Sequence, residues 1–249
     1  MTLSVIVPVY NEAATIREVI RQVAAVGIAQ EIIVVDDGST DGTPEMLRQL
    51  QREHGTVLPG VSGSPCELRV VWHVRNRGKG AAVRSGFQAA RGEIVVIQDA
   101  DLEYTPGDVP ALIAPIERGE ADAVLGSRFI RQRPRFFVHG GMPFFSHYLG
   151  NLCIIWLTNR LYGFRATDYE GCYKAFKRAL VCSTPVGADG FEFDNELICK
   201  LLRRRARIAE VPIRYTPRVY REGKKIRWYH GVRILWTILK WRILPFTRA

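Results

Sequence analysis

The amino-acid sequence predicts a layered α/β fold with a mainly parallel central sheet. Apolar segments of strand length alternate with helical patterns throughout residues 1–127, which is typical of helices packed on a parallel sheet. The strand segments are apolar at nearly every position, as in strands buried on both faces. With 249 residues, the chain is long enough for one large domain with a well-buried core, or for two small ones.

The first half of the chain supplies most elements of the predicted sheet. Asn11 is expected to cap the first helix, whose apolar positions recur from Ala13 to Val23. Pro44 falls in the first turn of the next helix, where its missing N–H is tolerated. Two more helices are predicted over residues 79–90 and 108–118. The predicted strands are residues 4–10, 31–35, 69–73, 93–97 and 121–126.

A different pattern begins after Arg128. Residues 129–141 are basic, and residues 142–163 are mostly apolar with scattered polar groups. Pro212 lies in a short apolar run and places that strand at an edge of the sheet, because proline lacks the N–H of a sheet interior. The elements predicted here are a helix over 191–205, the edge strand over 211–215 and a basic amphipathic helix over 228–244.

Composition argues against several classes of protein. No apolar run reaches the roughly 18–20 residues that a membrane-spanning helix needs. The first residues lack the basic stretch of a secretory signal, so no such signal is expected. The five cysteines include no Cys-x-x-Cys pair, which favours neither a zinc ribbon nor a disulfide framework and suits a reducing cytosol.

The net charge of +10 is unevenly distributed. Residues 203–249 contain 14 of the 35 Lys and Arg residues and only two acidic ones, whereas residues 1–202 are nearly neutral. A basic end indicates an anionic partner, such as a membrane surface, a phosphate ligand or a nucleic acid. Nucleic acid is disfavoured because the sequence contains no recognisable nucleic-acid-binding motif. The simplest division is a domain over residues 1–220 followed by a basic segment over 221–249.

Acidic residues follow two of the predicted strands, Asp36-Asp37 and Asp99-Ala100-Asp101. Ligands of open parallel sheets bind at the carboxyl ends of the strands. Carboxylates there suit a Mg²⁺ or Mn²⁺ ion that holds phosphate, or the hydroxyl groups of a nucleoside. Phosphate-binding glycine loops are missing, since no Gly-x-Gly-x-x-Gly follows the first strand and Gly78-Lys79-Gly80 matches no P-loop. A dinucleotide-dependent dehydrogenase and a P-loop NTPase are therefore disfavoured.

Each of these motifs is weak alone, but their ordered combination is specific. The chain contains VPVYNE, VVDDGSTDGT, RNRGKGAAVRSGF, IQDADLEY and LGSRF in that order. This series resembles the family 2 glycosyltransferases, and within them the dolichol-phosphate mannose synthase and polyprenyl-phosphate glycosyltransferase group. The later segments TDYEGCYKAFKR, FEFDNELICKLLRR and YREGKKIRWYHG are similar to the same group. The resemblance implies the GT-A fold, a Rossmann-like α/β/α arrangement, with a C-terminal amphipathic helical extension.

The resemblance also implies roles for individual residues. Asp99 and Asp101 are implied as catalytic and metal-binding, with Glu103 near the metal ion. Asp168 is expected to be a third catalytic residue that orients the acceptor or the sugar, and capping the following segment is an equal alternative. Glu222-Gly223-Lys224 stands where the archaeal mannose synthases typically have Gly-Glu-Ser, so the sugar stays open. The implied nucleotide-sugar site comprises Pro8, Tyr10, Glu12, Val35, Asp37, Asp99, Ala100, Asp101, Arg128, Arg221 and Lys225.

The expected activity is metal-dependent, inverting transfer of a hexose from a nucleotide-diphosphate sugar, of the GDP-mannose or UDP-glucose type, to a polyprenyl phosphate. A phosphate monoester is mostly dianionic at neutral pH because its second pKa is about 6, so this nucleophile needs little help from a general base. A family 2 enzyme with a soluble or cell-wall acceptor is the alternative. It would share the donor residues and differ after about residue 128.

The C-terminal segment predicts contact with a membrane surface. Cations border its apolar and aromatic residues, as in helices that lie in the interface. Packing of the same rings onto the core of the domain is the alternative. We expect a peripheral protein at the cytoplasmic face of a membrane, with a separate membrane partner left open. The expected anchors are Trp228, Val232, Leu235, Trp236, Leu239 and Trp241.

Overall fold

One mixed β-sheet organises the chain in the computed structural model, which describes residues 1–58, 65–130, 145–216 and 228–246. Within these residues eight strands form the sheet in the order β3-β4-β2-β1-β5-β7-β6-β8. β3 and β7 are antiparallel to their neighbours, and the other pairings are parallel. The strands are β1 (Leu3–Val9), β2 (Glu31–Asp36), β3 (Val57–Leu58), β4 (Cys66–Trp72), β5 (Ile94–Ile97), β6 (Ala123–Ser127), β7 (Lys174–Lys177) and β8 (Ile208–Pro212).

Helices cover both faces of this sheet, which confirms the predicted layered α/β fold. On one face α1 contacts α2, and on the other α3 contacts α6 and α7. Burial on both faces explains the continuous apolar runs, since β2 is buried along its whole length. The helices are α1 (Ile16–Val26), α2 (Thr43–His54), α3 (Lys79–Ala89), α4 (Val109–Glu117), α5 (Phe145–Tyr162), α6 (Arg178–Cys182), α7 (Phe193–Arg203) and α8 (Trp228–Ile243).

Three local features differ from the sequence-based expectations. Asn11 does not cap α1: it has a φ of 52°, and Thr15 is the residue at the helix start. β7 was not predicted, because its four residues are too few to show a period. β8 begins at Ile208, three residues before the predicted strand. Its expected edge position is confirmed, and Pro212 is the last residue that pairs with β6.

The C-terminal helix packs against the domain. α8 contacts α5 and α7, and its Ile234 and Ile238 are buried. The Tyr162 hydroxyl at the end of α5 donates to the Ile238 carbonyl at 2.8 Å. The predicted boundary between residues 220 and 221 lies outside the described residues, so the two-part division stays a prediction. No helix of the described part has both the length and the apolarity to cross a bilayer.

Candidate active site

The carboxyl ends of β1, β2, β5 and β6 meet at one edge of the sheet, where the predicted site residues lie. β7 brings a second segment to this edge, because it runs antiparallel and pairs Lys174 with Ile97 at the end of β5. The residues just before Lys174 therefore lie beside the Asp99–Asp101 turn. The unpredicted strand thus places Asp168, which is distant in sequence, near the acidic residues.

Asp99, Asp101 and Glu103 form a carboxylate cluster after β5. The Glu103 N–H donates to Asp101 Oδ1 at 3.2 Å. The pKa of Asp101 is raised to about 7, which reflects first the burial of this carboxyl and then the repulsion from its acidic neighbours Asp99 and Glu103. Hard oxygen ligands in such a setting fit Mg²⁺ or Mn²⁺ when phosphate oxygens complete the coordination.

The cluster is not a preformed metal cage. Nowhere in the described part of the chain do three or more His, Cys, Asp or Glu side chains converge in an arrangement that could hold a metal ion. The Lys79 ammonium instead lies 2.7 Å from Asp99 Oδ1. Burial opposes ionisation of Asp99, but Lys79 holds the pKa of this carboxyl below its ordinary value. Lys79 lies within the RNRGKGAAVRSGF motif, but no role was predicted for it, and sequence reasoning missed this contact.

Arg128 and Asp168 are partners of each other. Arg128 donates to the two Asp168 oxygens from Nε at 2.7 Å and from Nη2 at 2.9 Å, and its backbone N–H adds a third bond at 3.1 Å. Burial opposes ionisation of Asp168, yet Arg128 holds its pKa below the ordinary value. The Glu170 N–H also donates to Asp168 Oδ1, as the capping interpretation expects. Roles in phosphate binding for Arg128 and in acceptor orientation for Asp168 stay predictions.

A layer of tyrosines joins the carboxylate cluster to this ion pair. The Tyr215 hydroxyl donates to Glu103 Oε2 at 3.1 Å, and the Arg128 guanidinium lies 5.1 Å from the centre of the Tyr215 ring. The Tyr104 ring packs 5.2 Å from that of Tyr215, and its hydroxyl accepts from the Cys172 N–H at 3.0 Å. Tyr104 ends the IQDADLEY motif, but no role was predicted for it, and Tyr215 lies in none of the motifs. Only the pairing between distant strands brings them together.

The predicted nucleotide-binding residues divide into two groups. Pro8, Tyr10 and Glu12 lie half-buried at the end of β1. Val35 and Asp37 are buried, and Asp37 accepts from the backbone N–H groups of residues 77 and 78 at 3.0 and 2.8 Å. The position of Asp37 is fixed further by the His73 ring, whose Nδ1 lies 2.6 Å from Oδ1. Base and ribose contacts of these five residues stay predictions.

The predicted cations Arg221 and Lys225 lie outside the described residues, as does Lys224. The described chain stops shortly before them, at a point close to the carboxylate cluster. The Thr216 N–H donates to the Glu103 carbonyl at 2.9 Å. Their contact with phosphate stays a prediction.

Comparison with known proteins bears on the identity of this site. The sequence profile of glycosyl transferase family 2 matches residues 4–182. The chain belongs to this family. The family resemblance drawn from the ordered motifs is confirmed, and the profile spans the carboxylate cluster, Arg128 and Asp168.

Two relatives and one solved structure give finer comparisons. The dolichol-phosphate mannosyltransferase of Pyrococcus furiosus is 28% identical over 99% of this chain and 68% of its own length. The undecaprenyl-phosphate 4-deoxy-4-formamido-L-arabinose transferase of Pseudomonas paraeruginosa is 33% identical over 72% of this chain. The chain spans about half the length of that relative and of several others.

The glucosyl-3-phosphoglycerate synthase of Mycobacterium tuberculosis, solved with Mn²⁺, UDP and phosphoglyceric acid, superposes with a TM-score of 0.67. It is 25% identical, and the match covers 99% of this chain and 80% of that one. The predicted GT-A fold is confirmed by this likeness together with the family match.

Proposed function

We propose that this chain transfers a hexose from a nucleotide-diphosphate sugar to a polyprenyl phosphate. The carboxylate cluster at the end of β5 is the observation that carries the donor half of the proposal. It lies at the sheet edge where ligands of open α/β folds bind, and it brings the Asp101 and Glu103 carboxylates together, joined by the Glu103 N–H to Asp101 Oδ1 hydrogen bond. Relatives named for dolichol and undecaprenyl phosphates support the acceptor half.

Asp101 is proposed as the main ligand of a divalent cation, with Asp99 and Glu103 as further ligands. A Mg²⁺ or Mn²⁺ ion bound there would neutralise the charge that develops on the leaving diphosphate. The Glu103 N–H fixes the rotamer of the Asp101 carboxylate, and Tyr215 fixes the Glu103 carboxylate. The chain therefore orients these oxygens before the donor arrives.

The acceptor phosphate supplies its own nucleophile. It is mostly dianionic at neutral pH, so attack at the anomeric carbon with inversion needs no side chain to remove a proton. Two phosphate-bearing substrates then meet beside carboxylates, and positive charge must compensate. Arg128 is proposed for this task; Asp168 holds its guanidinium, which lies 5.1 Å from the centre of the Tyr215 ring. Arg221 and Lys225 are proposed for the same task.

The outer faces of α5 and α8 support a membrane location for this reaction. The predicted anchors on α8 differ in burial. Leu235 and Trp241 pack against the core. The exposed ones are Val232, Trp236 and Leu239. α5 adds a second exposed stripe through Leu149, Leu152 and Trp156. Trp156 and Trp236 are each 65% exposed.

Charge indicates that an anionic lipid surface covers these faces. Neither α5 nor α8 contains an acidic residue, whereas Arg233, Lys240 and Arg242 lie on α8. A cavity of about 490 Å³ at the end of α5 is lined by Trp156, Arg160, Arg165 and neighbouring residues. Each Lys or Arg near an anionic leaflet contributes about 1 kcal/mol. We propose peripheral binding at the cytoplasmic face of a membrane.

A soluble acceptor is the second candidate. It is favoured by the glucosyl-3-phosphoglycerate synthase, which was solved with phosphoglyceric acid. The donor residues would be the same in both cases. The two candidates therefore differ in which acceptor phosphate Arg128 would bind. They also differ in whether the exposed faces of α5 and α8 contact a membrane.

A transfer assay tests the proposal. Purified protein receives labelled GDP- and UDP-sugars, with Mg²⁺, Mn²⁺ or a chelator, and undecaprenyl or dolichyl phosphate. Metal-dependent label in the organic phase with one donor is the expected result. Metal-dependent hydrolysis of a donor without lipid product would exclude these lipid acceptors and favour the soluble one. Absence of turnover with every donor would contradict the donor assignment.

A vesicle assay tests the membrane surface separately. Wild-type protein is expected to co-sediment with phosphatidylglycerol-containing vesicles and not with phosphatidylcholine alone. The double variant Trp156→Ser, Trp236→Ser should bind at least about tenfold more weakly, because each exposed indole buries a large apolar area in the interface. Val74→Ser removes a fully exposed apolar side chain elsewhere and is the control. Unchanged binding of the double variant would contradict the assigned surface.

A further inference from the structure

The Gly78-Lys79-Gly80 segment, which matches no P-loop, is tightly packed in the candidate active site. Lys79 is the first residue of α3, and the Gly80 N–H donates to the Asp189 carbonyl at 2.7 Å. A Cβ on Gly80 would lie 2.6 Å from the Ala188 carbonyl oxygen, and Gly78 has a φ of 98° that favours glycine. The two glycines thus let the backbone approach residues 188–189 closely and fix the origin of the Lys79 side chain.

From this origin the Lys79 side chain reaches the carboxylate cluster. Its ammonium lies 2.7 Å from Asp99 Oδ1, and each of the two side chains is 21% exposed. The pair is therefore partly accessible to solvent. The start of α3 adds the positive end of a helix dipole at the same place.

We propose that Lys79 neutralises Asp99 until a donor binds, so that a divalent metal ion enters together with the donor diphosphate, and that Lys79 then pairs with that diphosphate. The inference rests on the proposed binding of donor and metal ion at the Asp99–Asp101 cluster. It assigns Lys79 a positioning role that no motif gave it.

Competition between cations explains the proposed order. An ammonium and a metal ion both use the lone pairs of Asp99, so the ion pair weakens metal binding to the protein alone. A diphosphate offers both cations new oxygen ligands. Lysine suits such an exchange, because its ammonium is a compact point charge with three donors on a flexible stem. Loss of the Lys79 charge should therefore change metal binding and nucleotide binding in opposite directions.

The test measures the two equilibria without sugar transfer. Free Mn²⁺ is titrated by electron paramagnetic resonance against wild type, Lys79→Met and the charge-conserving control Lys79→Arg. Binding of UDP and GDP at saturating Mn²⁺ is measured by calorimetry. Lys79→Met should bind Mn²⁺ alone about tenfold or more tightly than wild type, and the preferred nucleotide about tenfold more weakly. Lys79→Arg should resemble wild type in both.

Each other outcome is decisive. A folded Lys79→Met protein with unchanged or weaker Mn²⁺ binding in the absence of nucleotide overturns the proposal, and a parallel loss of both affinities indicates a merely structural lysine. Where methionine prevents folding, Lys79→Gln provides the same comparison, since it also removes the charge. A wild type that binds neither UDP nor GDP counts against the proposed function. If the wild type binds one nucleotide but Lys79→Met does not show tighter Mn²⁺ binding together with weaker nucleotide binding, only the role proposed for Lys79 is rejected.

Discussion

Replacing Asp168 with asparagine tests whether the Arg128–Asp168 pair holds the site together. The two side chains are 13% and 1% exposed and share two hydrogen bonds, and the Arg128 backbone N–H donates a third to Asp168. Asp168→Asn leaves a largely buried guanidinium without a counter-charge, which costs about 3–5 kcal/mol of unfolding free energy. Arg128→Met leaves a buried carboxylate and should cost a similar amount. The double variant Arg128→Met, Asp168→Leu should recover much of the loss, because it buries no charge.

Urea unfolding at several pH values measures this pair. The folded-state pKa of Asp168 lies below its unfolded value of about 3.9, so the pair stabilises the protein above that pH. This contribution is lost as the pH falls through the folded-state pKa, and the wild-type and Asp168→Asn curves should converge there. A loss of less than about 1 kcal/mol at pH 7 would refute the reasoning, as would additive single-variant effects. Full stability with abolished transfer would favour a catalytic Asp168.

Two further predictions concern the carboxylate cluster and the packing beneath it. Asp101→Asn should lower the rate of sugar transfer at least about a hundredfold. It should also raise the unfolding free energy of the ligand-free protein at pH 8, because a carboxyl whose pKa is raised to about 7 destabilises the folded state once it ionises. Equal melting temperatures of the variant and the wild type at pH 8 would contradict this. Gly80→Ala should lower the unfolding free energy by about 1–3 kcal/mol, because the added Cβ would lie 2.6 Å from the Ala188 carbonyl and from the Phe193 side chain. Thermal unfolding measures this loss. Gly150→Ala in α5, where the added Cβ has open space, is the matched control and should raise the unfolding free energy by about 0.5–1 kcal/mol. Similar effects of the two substitutions would contradict the packing argument.

Strands with long apolar runs were predictable, and short ones were not. β2 is flanked by sheet on both sides and by helices on both faces, so nearly every position had to be apolar and the run was visible in the sequence. β7 holds four residues in which lysines flank a buried Ala-Phe pair. Its position is decided by pairing with β5 and β6, which sequence patterns do not encode. The turn at Asn11 escaped prediction for a similar reason, because Ser39 and Thr40 from the next loop hold its backbone and side chain.

Site residues that follow strands were predictable as candidates, but their partners were not. Asp99 and Asp101 stood out because acidic residues directly follow an apolar run. Lys79 follows β4 at this same edge and begins α3, whose chain then crosses past β2 and β1 to enter β5. Asp168 meets Arg128 only through the antiparallel β7. The sequence thus indicated which residues hold charge at the site, and the topology decides which of those charges compensate each other.

Helix α5 joins the exposed apolar surface to the candidate active site at the carboxyl ends of the strands. Trp156 and Asn159 lie about one turn apart on α5. Trp156 faces solvent, and Asn159 holds the loop that follows the helix. Asn159 donates to the Ala166 carbonyl at 2.9 Å and accepts from the Tyr169 hydroxyl at 2.6 Å. Asp168 lies between those two contacts. A surface that binds lipid through Trp156 would therefore fix the height of the Arg128–Asp168 pair above the bilayer, as the proposed transfer to a lipid-linked phosphate requires.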